Sequence, residues 1–293
     1  MRIHQFSNLI FICIAVVFGI AIPQFGSYIQ PLVTPLVMFL VYTLFRDIQP
    51  REVTNISIIK LVFIAGIISY VILPLFGSQV LKLILPEKIF IGFVILISSP
   101  TTAVSAVWTR IANGDVQLAT AVTIGSVIIS PIVTPLIFTY LIRTQSTVPV
   151  FGIFIELMIV IIGGILFTIV VPNSIVSEQT INYGSILSLL LIIYSTTTQV
   201  KITTIDLIDV LAICSVAVIL LIFGFIVITV IRWFLSISQP QSIALFYSVN
   251  MKNLGISLLI SNFTYSDPYT TITILICFLF QQLIVALISD YIS

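Results

Sequence analysis

The sequence predicts an all-α integral membrane protein with about ten transmembrane helices, because a span needs roughly 20 apolar residues and the chain holds about ten such stretches. Of its 293 residues, 59% are hydrophobic and only 7% are charged, whereas a soluble domain carries about 25% charged residues. The mean hydropathy is +1.28. In each half of the chain, polar residues interrupt the fourth apolar stretch. This composition excludes a soluble cytosolic enzyme, a nucleic-acid-binding protein and a disordered chain.

Short polar loops separate the apolar stretches and set their order. We interpret the first stretch as a membrane helix and not as a signal peptide, because Pro23-Gln24-Phe25 is a poor cleavage site and another span soon follows. Pro100 lies inside the fourth span, and the ninth span is polar in its middle. Hydropathy places the predicted spans at about 6–22, 29–46, 57–80, 88–112, 116–142, 149–171, 184–199, 206–235, 240–262 and 269–291.

The two halves share one plan, which predicts a single transporter domain built from two repeats, 1–145 and 146–293. The predicted breaks, Ser99–Thr102 and Ser248–Met251, lie about 150 residues apart. Because each repeat has an odd number of spans, the second must be inverted relative to the first. Inverted repeats with discontinuous helices are typical of secondary transporters, whose substrate sites lie near the membrane midplane. Freed backbone groups must meet protein or a water-filled cavity, so the breaks should face each other.

The distribution of Lys and Arg favours both termini on the cytoplasmic side of the cell membrane. With that orientation, six basic residues would lie inside and four outside. The inner set is Arg2, Arg46, Arg51, Lys60, Arg110 and Arg232, and the outer set is Lys82, Lys88, Arg143 and Lys201.

Few residues could support catalysis or hold a cofactor. His4 is the only histidine, and the three cysteines, Cys13, Cys214 and Cys277, are widely spaced within apolar runs, as buried hydrophobic residues would be. There is no glycine-rich phosphate loop and no pair of carboxylates at membrane depth. We therefore expect no enzyme activity, no metal, no cofactor and no nucleic-acid partner. The expected partners are the lipid bilayer and a small solute.

The first candidate site surrounds Pro100. Thr101, Thr102 and Ser105 supply hydroxyls beside a broken helix, where they would bind an ion or a substrate, and Thr123 on the fifth span is a weaker candidate. The alternative is that these hydroxyls bond to the preceding turn or serve helix packing. Their clustering around the proline favours a binding role.

The second candidate site comprises Ser248, Asn250, Met251, Lys252 and Asn253. A lysine in mid-membrane costs about 2.5–3.5 kcal/mol on insertion scales and is a functional candidate by default. The alternative is a structural ion pair with Glu156, the one acidic residue well inside another span. Glu156 itself is either a site residue or a residue near the membrane interface.

Three segments give the chain a resemblance to a known family. Residues 99–116 are similar to the motif S-P-G-G-T-x-S-N-V-x-T-x-x-A-x-G-N/D-V, residues 130–136 to S-P-L-L-T-P-L, and residues 249–255 to part of E-V-G-M-Q-N-S-G. These are motifs of the bile acid/sodium symporter superfamily, which also contains arsenite efflux carriers. The resemblance covers essentially the whole chain. It implies that helices 4 and 9 are unwound and cross, with two sodium ions beside the crossing.

The chain departs from this family where sodium should bind. The family's sodium-binding asparagine falls on Ala106 and a serine of its fifth helix falls on Ala119, whereas Ser105, Thr123, Met251 and Asn253 still fit. The glutamate shared by both sodium sites falls on Ser248, and the glutamine that follows becomes Lys252.

We therefore expect a sodium-independent transporter of a small organic anion, in which the ammonium of Lys252 replaces a coupling sodium. An ammonium donates three hydrogen bonds and could satisfy the same unwound carbonyls. Since burial disfavours the charged form of an amine, protons are a possible coupling ion. The alternatives are an arsenite-type metalloid efflux carrier, although no cysteine lies near Pro100, and a facilitator or channel on the same fold.

Overall fold

A computed structural model describes residues 2–46, 56–142, 150–171, 176–198, 206–264 and 268–292, and over these residues the chain forms helices and no strand. Arg51, Arg143 and Lys201, three of the basic residues that favour the predicted orientation, lie outside the described residues. The side chains of Arg2, His4 and Lys88 are likewise not described.

The helices follow one another with short connections. They are α1 (Arg2–Ala21), α2 (Pro23–Arg46), α3 (Ile56–Ile67), α4 (Leu73–Ile84), α5 (Glu87–Ser98), α6 (Val104–Ile111), α7 (Val116–Ile142), α8 (Val150–Val170), α9 (Glu178–Thr197), α10 (Leu207–Leu235), α11 (Gln239–Asn250), α12 (Leu254–Thr264) and α13 (Pro268–Ile292). A π-helical turn, Ile68–Ile72, joins α3 to α4.

Length and hydropathy identify a multi-pass membrane protein. In the described part of the chain, seven helical runs are long and apolar enough to cross a membrane, and three shorter apolar helices accompany them. Two spans begin six residues earlier than the sequence predicts. The run of α2 starts at Pro23 with a 3-10 turn. Proline is favoured there because the first turn of a helix leaves its N–H groups unpaired, and proline has no N–H. Helix α9 starts at Glu178, because the hydroxyl of Ser177 caps it by accepting from Thr180 N.

Two interruptions stand out among the helices. The first runs from Ser99 to Ala103, where the sequence predicts it. The second lies at Met251–Asn253, later than the predicted Ser248–Met251. Ser248 and Asn250 remain helical because no proline ends α11 there, and the Asn250 amide donates to Phe246 O at 2.9 Å within the helix.

The helices pack into two groups. In the four-helix group, α1 packs on α9, α2 on α8, and α2 on α9. The break-bearing group comprises α3–α7 and α10–α13, in which α5 packs on α13, α3 and α11 pack on α7, and α10 packs on α13. The two interruptions belong to the break-bearing group, and most of their residues are buried.

Candidate functional site

The two interruptions meet and satisfy each other's backbone. Thr101 and Lys252 form an isolated antiparallel bridge. Thr102 N donates to Met251 O at 3.1 Å, and Asn253 N donates to Pro100 O at 2.8 Å. In hydrocarbon each unsatisfied backbone group would cost several kcal/mol. The bridge therefore removes part of the free-energy cost of unpaired backbone groups at the two interruptions.

Side-chain hydroxyls donate hydrogen bonds to backbone carbonyls that the bridge does not pair. The Thr134 hydroxyl donates to Ser98 O and the Thr101 hydroxyl to Ser248 O, each at 2.7 Å. Thr101 N donates to Ser126 Oγ at 3.0 Å. The Thr101 hydroxyl thus joins the first interruption to α11, which is neither a bond to its own preceding turn nor the helix packing considered as the alternative for these hydroxyls.

Lys252 is the charged residue at this junction, and its side chain is only 3% exposed. Its ammonium donates to the Ser69 hydroxyl at 2.5 Å and to Ser69 O at 3.3 Å. The nitrogen also lies 5.5 Å from the centroid of the Tyr70 ring, within the range of a cation–π interaction. A hydroxyl, a carbonyl and an aromatic face therefore surround the ammonium.

The π-helical turn explains why Ser69 O can accept from a side chain. Leu73 N, which would donate to Ser69 O in an α-helix, donates to Ile68 O instead. The next residue is Pro74, which has no N–H to donate. A carbonyl without a backbone donor at membrane depth requires another donor, and Lys252 supplies it.

Ser69 and Tyr70 were missed by sequence reasoning. A partial signal was present, because Pro74 inside an apolar span indicates that a carbonyl in the preceding turn lacks a backbone donor. That this carbonyl belongs to Ser69 depends on the π-helical turn. The Tyr70 hydroxyl donates to Ser126 O at 2.8 Å. Because Ser126 also accepts from Thr101 N, Tyr70 links the surroundings of the ammonium to the first interruption.

Ser105 and Thr123, which still fit the sodium-binding pattern that the resemblance implies, have hydroxyls bonded to protein. Ser105 Oγ lies 3.2 Å from Thr123 Oγ1, and Thr123 Oγ1 lies 2.9 Å from Ala119 O. Both residues are fully buried. Two hydroxyls bonded to each other do not form the carboxylate-containing oxygen cage that the resemblance implies for sodium.

The remaining residues of the second candidate site point in different directions. Ser248 is fully buried, and its hydroxyl has no hydrogen-bond partner among the described residues. Asn250 lies against Gly224 of α10. Met251 is buried and its carbonyl takes part in the bridge. Asn253 caps α12, because its side-chain oxygen accepts from Ile256 N at 3.1 Å.

Glu156 lies in the four-helix group and has its own partner. The Thr34 hydroxyl of α2 donates to its carboxylate at 2.6 Å. Lys252 is anchored on Ser69, so the structure gives the two charges separate partners and does not show the structural ion pair between them.

An apolar cavity of about 490 Å³ lies between the two groups of helices. It is lined by α1, α2, α6, α9, α13 and the start of α12. Of the predicted site residues, Thr102 and Asn253 reach it. Lys252 is not among its lining residues. Trp108 and Gln282 add polar atoms to the wall, and the Trp108 indole N–H donates to the Gln282 side-chain oxygen at 3.0 Å.

A helical membrane protein with a cavity beside two interrupted helices has the architecture of a membrane transporter. Comparison with known families agrees: residues 7–292 match the SBF-like CPA transporter family (DUF4137). The chain therefore belongs to this family, which is related to the bile acid/sodium symporters. No curated protein matches the sequence.

Proposed function

We propose that this protein is a sodium-independent secondary transporter of a small organic anion, in which Lys252 replaces a coupling sodium ion. The proposed architecture has ten spans in one domain, with inverted repeats 1–145 and 146–293 whose fourth spans, α5–α6 and α11–α12, cross at their interruptions. The proposed orientation places both termini on the cytoplasmic side of the cell membrane.

Corresponding helix pairs support two repeats. The helix α1 packs on α9 as α8 packs on α2, and α3 packs on α7 as α10 packs on α13. The pair of α5 and α13 likewise corresponds to the pair of α11 and α7. The bridge between Thr101 and Lys252 lies where the axis relating the repeats would pass, since Pro100–Asn253 and Met251–Thr102 are exchanged by it.

The direction of α8 supports the inversion. Glu156 lies beside Thr34, Gly163 beside Met38 and Gly164 beside Val41, so α8 and α2 run parallel. Gly19 of α1 and Gly26 of α2 both lie beside the end of α9. Phe11 and Leu40 line the same cavity, so the chain reverses between α1 and α2. Helix α8 therefore runs opposite to α1, its counterpart in the first repeat, as an inverted repeat requires.

The anchoring of Lys252 is the observation that carries the proposal. Its ammonium is a fixed positive charge beside the interruptions, bonded to a backbone carbonyl and a hydroxyl of Ser69. Such oxygens are also ligands for a metal cation, and an ammonium with three donors can take the place of one. The carboxylate that two sodium ions would need is replaced by the neutral Ser248.

The cavity supports a small anionic substrate. The N-terminal residues of α6 and α12, among them Val104 and Leu254, line it together with the polar side chains of Thr102 and Asn253. Helix N-termini favour negative charge, and discontinuous helices use them for substrate carboxylates in other transporters. Metalloid efflux through a thiol has less support, since neither Cys13 nor Cys277 lines this cavity.

Uptake into proteoliposomes with sodium replaced by choline tests the proposal. We expect uptake of a substrate, chosen by ligand stabilisation across organic acids, to persist in choline and to be lost in Lys252→Ala. Lys60→Ala is the matched control, because Lys60 is an exposed lysine on α3. Loss of uptake in choline would overturn sodium independence.

Two further measurements decide the coupling. Accumulation against a gradient distinguishes a coupled transporter from the alternative, a facilitator or channel on the same fold. Uptake that is electroneutral and independent of pH would eliminate protons as the coupling ion.

A further inference from the structure

The cavity has an unusual wall for a site that would be filled from water. Among the described residues that line it, none carries a charged side chain, and apolar side chains form most of the surface. Its polar groups are few and include Thr102, Asn253 and Gln282. An apolar wall with a small polar region suits a molecule that has an apolar body and one polar end.

The exposed residues that line the cavity include two that lie well inside long helices. Among its lining residues, Phe11 of α1 is 47% exposed, Val107 of α6 is 55% exposed and Leu283 of α13 is 37% exposed. Phe11 and Leu283 each lie nine residues from the nearer end of their helix, which is about 13 Å at 1.5 Å per residue. Exposed apolar side chains at this depth face lipid tails more readily than water.

The packing of α1 leaves this side of the molecule open. Helix α8 packs closely on α7, whereas α1, its counterpart under the proposed repeat, touches α13 only lightly. The gap between α1, α6 and α13 therefore follows from the unequal packing of the four-helix group against the break-bearing group.

We propose that this gap is a lateral entrance, through which the cavity takes an amphipathic monocarboxylate directly from the bilayer. The apolar body would lie against Phe11, Val107 and Leu283. The polar end would reach Thr102 and Asn253. This inference rests on the proposed transport function, and it narrows the substrate to molecules that partition into membranes.

The native tryptophans make the entrance measurable. Trp108 lines the cavity and is 6% exposed, whereas Trp233, the only other tryptophan, is 78% exposed at the end of α10. A Trp233→Phe chain therefore reports on the cavity alone. In proteoliposomes we expect brominated phospholipid to quench Trp108 emission, aqueous iodide to leave it unchanged, and dodecanoate to relieve the lipid quenching by displacing lipid tails from the cavity.

A matched pair of variants locates the entrance. In the Trp233→Phe chain, Val107→Phe should fill the gap and abolish most of the lipid quenching. Ile132→Phe should leave the quenching unchanged, because Ile132 is 60% exposed on α7 and does not line the cavity. Folding of each variant is checked by circular dichroism and size-exclusion chromatography.

Two results would overturn the lateral entrance. One is quenching of Trp108 by iodide but not by brominated lipid, which would mean that the cavity opens to water. The other is lipid quenching that neither Val107→Phe nor dodecanoate changes, which would report lipid on the outer surface. Uptake of the organic acid chosen by ligand stabilisation, measured in the same proteoliposomes, tests transport separately, so a failed entrance with normal uptake is distinguishable from a failed function.

Discussion

At the residue scale, the resemblance implies a glutamate and a glutamine where this chain has Ser248 and Lys252, and this predicts how a sodium site could be introduced. Ser248→Glu with Lys252→Gln gives the chain the charge pattern that the resemblance implies for a sodium site. We expect sodium, but not choline, to raise the melting temperature of this double variant. Sodium at about 100 times its dissociation constant would add roughly 2.7 kcal/mol to stability. Thermal unfolding in both salts measures the shift.

The control is Ser248→Gln with Lys252→Gln, which matches the double variant in size and lacks its carboxylate. It should show no difference between sodium and choline. If the unaltered protein were itself stabilised specifically by sodium, Lys252 would not be the replacement for that ion.

The anchor of Lys252 leads to a second prediction. Ser69→Ala removes the hydroxyl that accepts from the ammonium at 2.5 Å, and a buried charge then loses one of its partners. We expect a loss of stability of about 1.5–3 kcal/mol, the range for hydrogen bonds to charged groups. Ser215→Ala is the control, because this exposed serine bonds only within its own helix, to Leu211 O at 2.7 Å. Equal shifts in thermal unfolding would contradict the role of Ser69.

Lys252 could be predicted from sequence and its partner could not, for a physical reason. A lysine inside an apolar span is conspicuous, since insertion costs energy and demands compensation. Its partner Ser69 lies 183 positions away in sequence, and the free carbonyl depends on a π-helical turn that no local pattern dictates. Thr102 and Asn253 were likewise predicted from their place at the interruptions, whereas Trp108 and Gln282 join the cavity only through tertiary packing.

At the scale of elements, the close contact of α10 with α11 predicts that a single methyl group added at Gly224 lowers the stability of the protein. A side chain at Gly224 would overlap the Asn250 carboxamide, whereas Gly66 of α3 faces open space. Overpacking costs about 1–3 kcal/mol, so Gly224→Ala should destabilise the protein. Gly66→Ala should be neutral or stabilising, because alanine exceeds glycine in helix propensity by about 1 kcal/mol. Thermal unfolding of the pair measures this, and a loss of stability in Gly66→Ala would contradict it.

The elements themselves were largely predictable, and the differences have local causes. Apolar length marked the spans, and Pro100 marked the first interruption because proline removes a helical donor. The second interruption has no proline, so the polar residues Ser248 and Asn250 indicated it too early. Tertiary backbone bonds, such as Asn253 N to Pro100 O, decide its place, and these cannot be derived from one segment alone.

At the scale of the whole molecule, the unequal packing of α1 and α8 predicts a second state. Helix α8 lies close on α7 while α1 touches α13 lightly. Under the proposed inverted repeats, the alternate state would exchange these arrangements, so that α1 closes on α13 and α8 leaves α7. The gap beside Phe11 and Leu283 would then close. The four-helix group would move as one body, because α1, α2, α8 and α9 pack on one another.

Cross-linking tests this exchange. In a background with Cys13, Cys214 and Cys277 replaced by serine, Phe11→Cys with Leu283→Cys should become linked by a short thiol reagent, and the link should abolish uptake. Met38→Cys with Gly163→Cys is the control, because these neighbours lie within the four-helix group and their link should leave uptake unchanged. Transport that continues with α1 fully linked to α13 would show that the two groups do not move against each other.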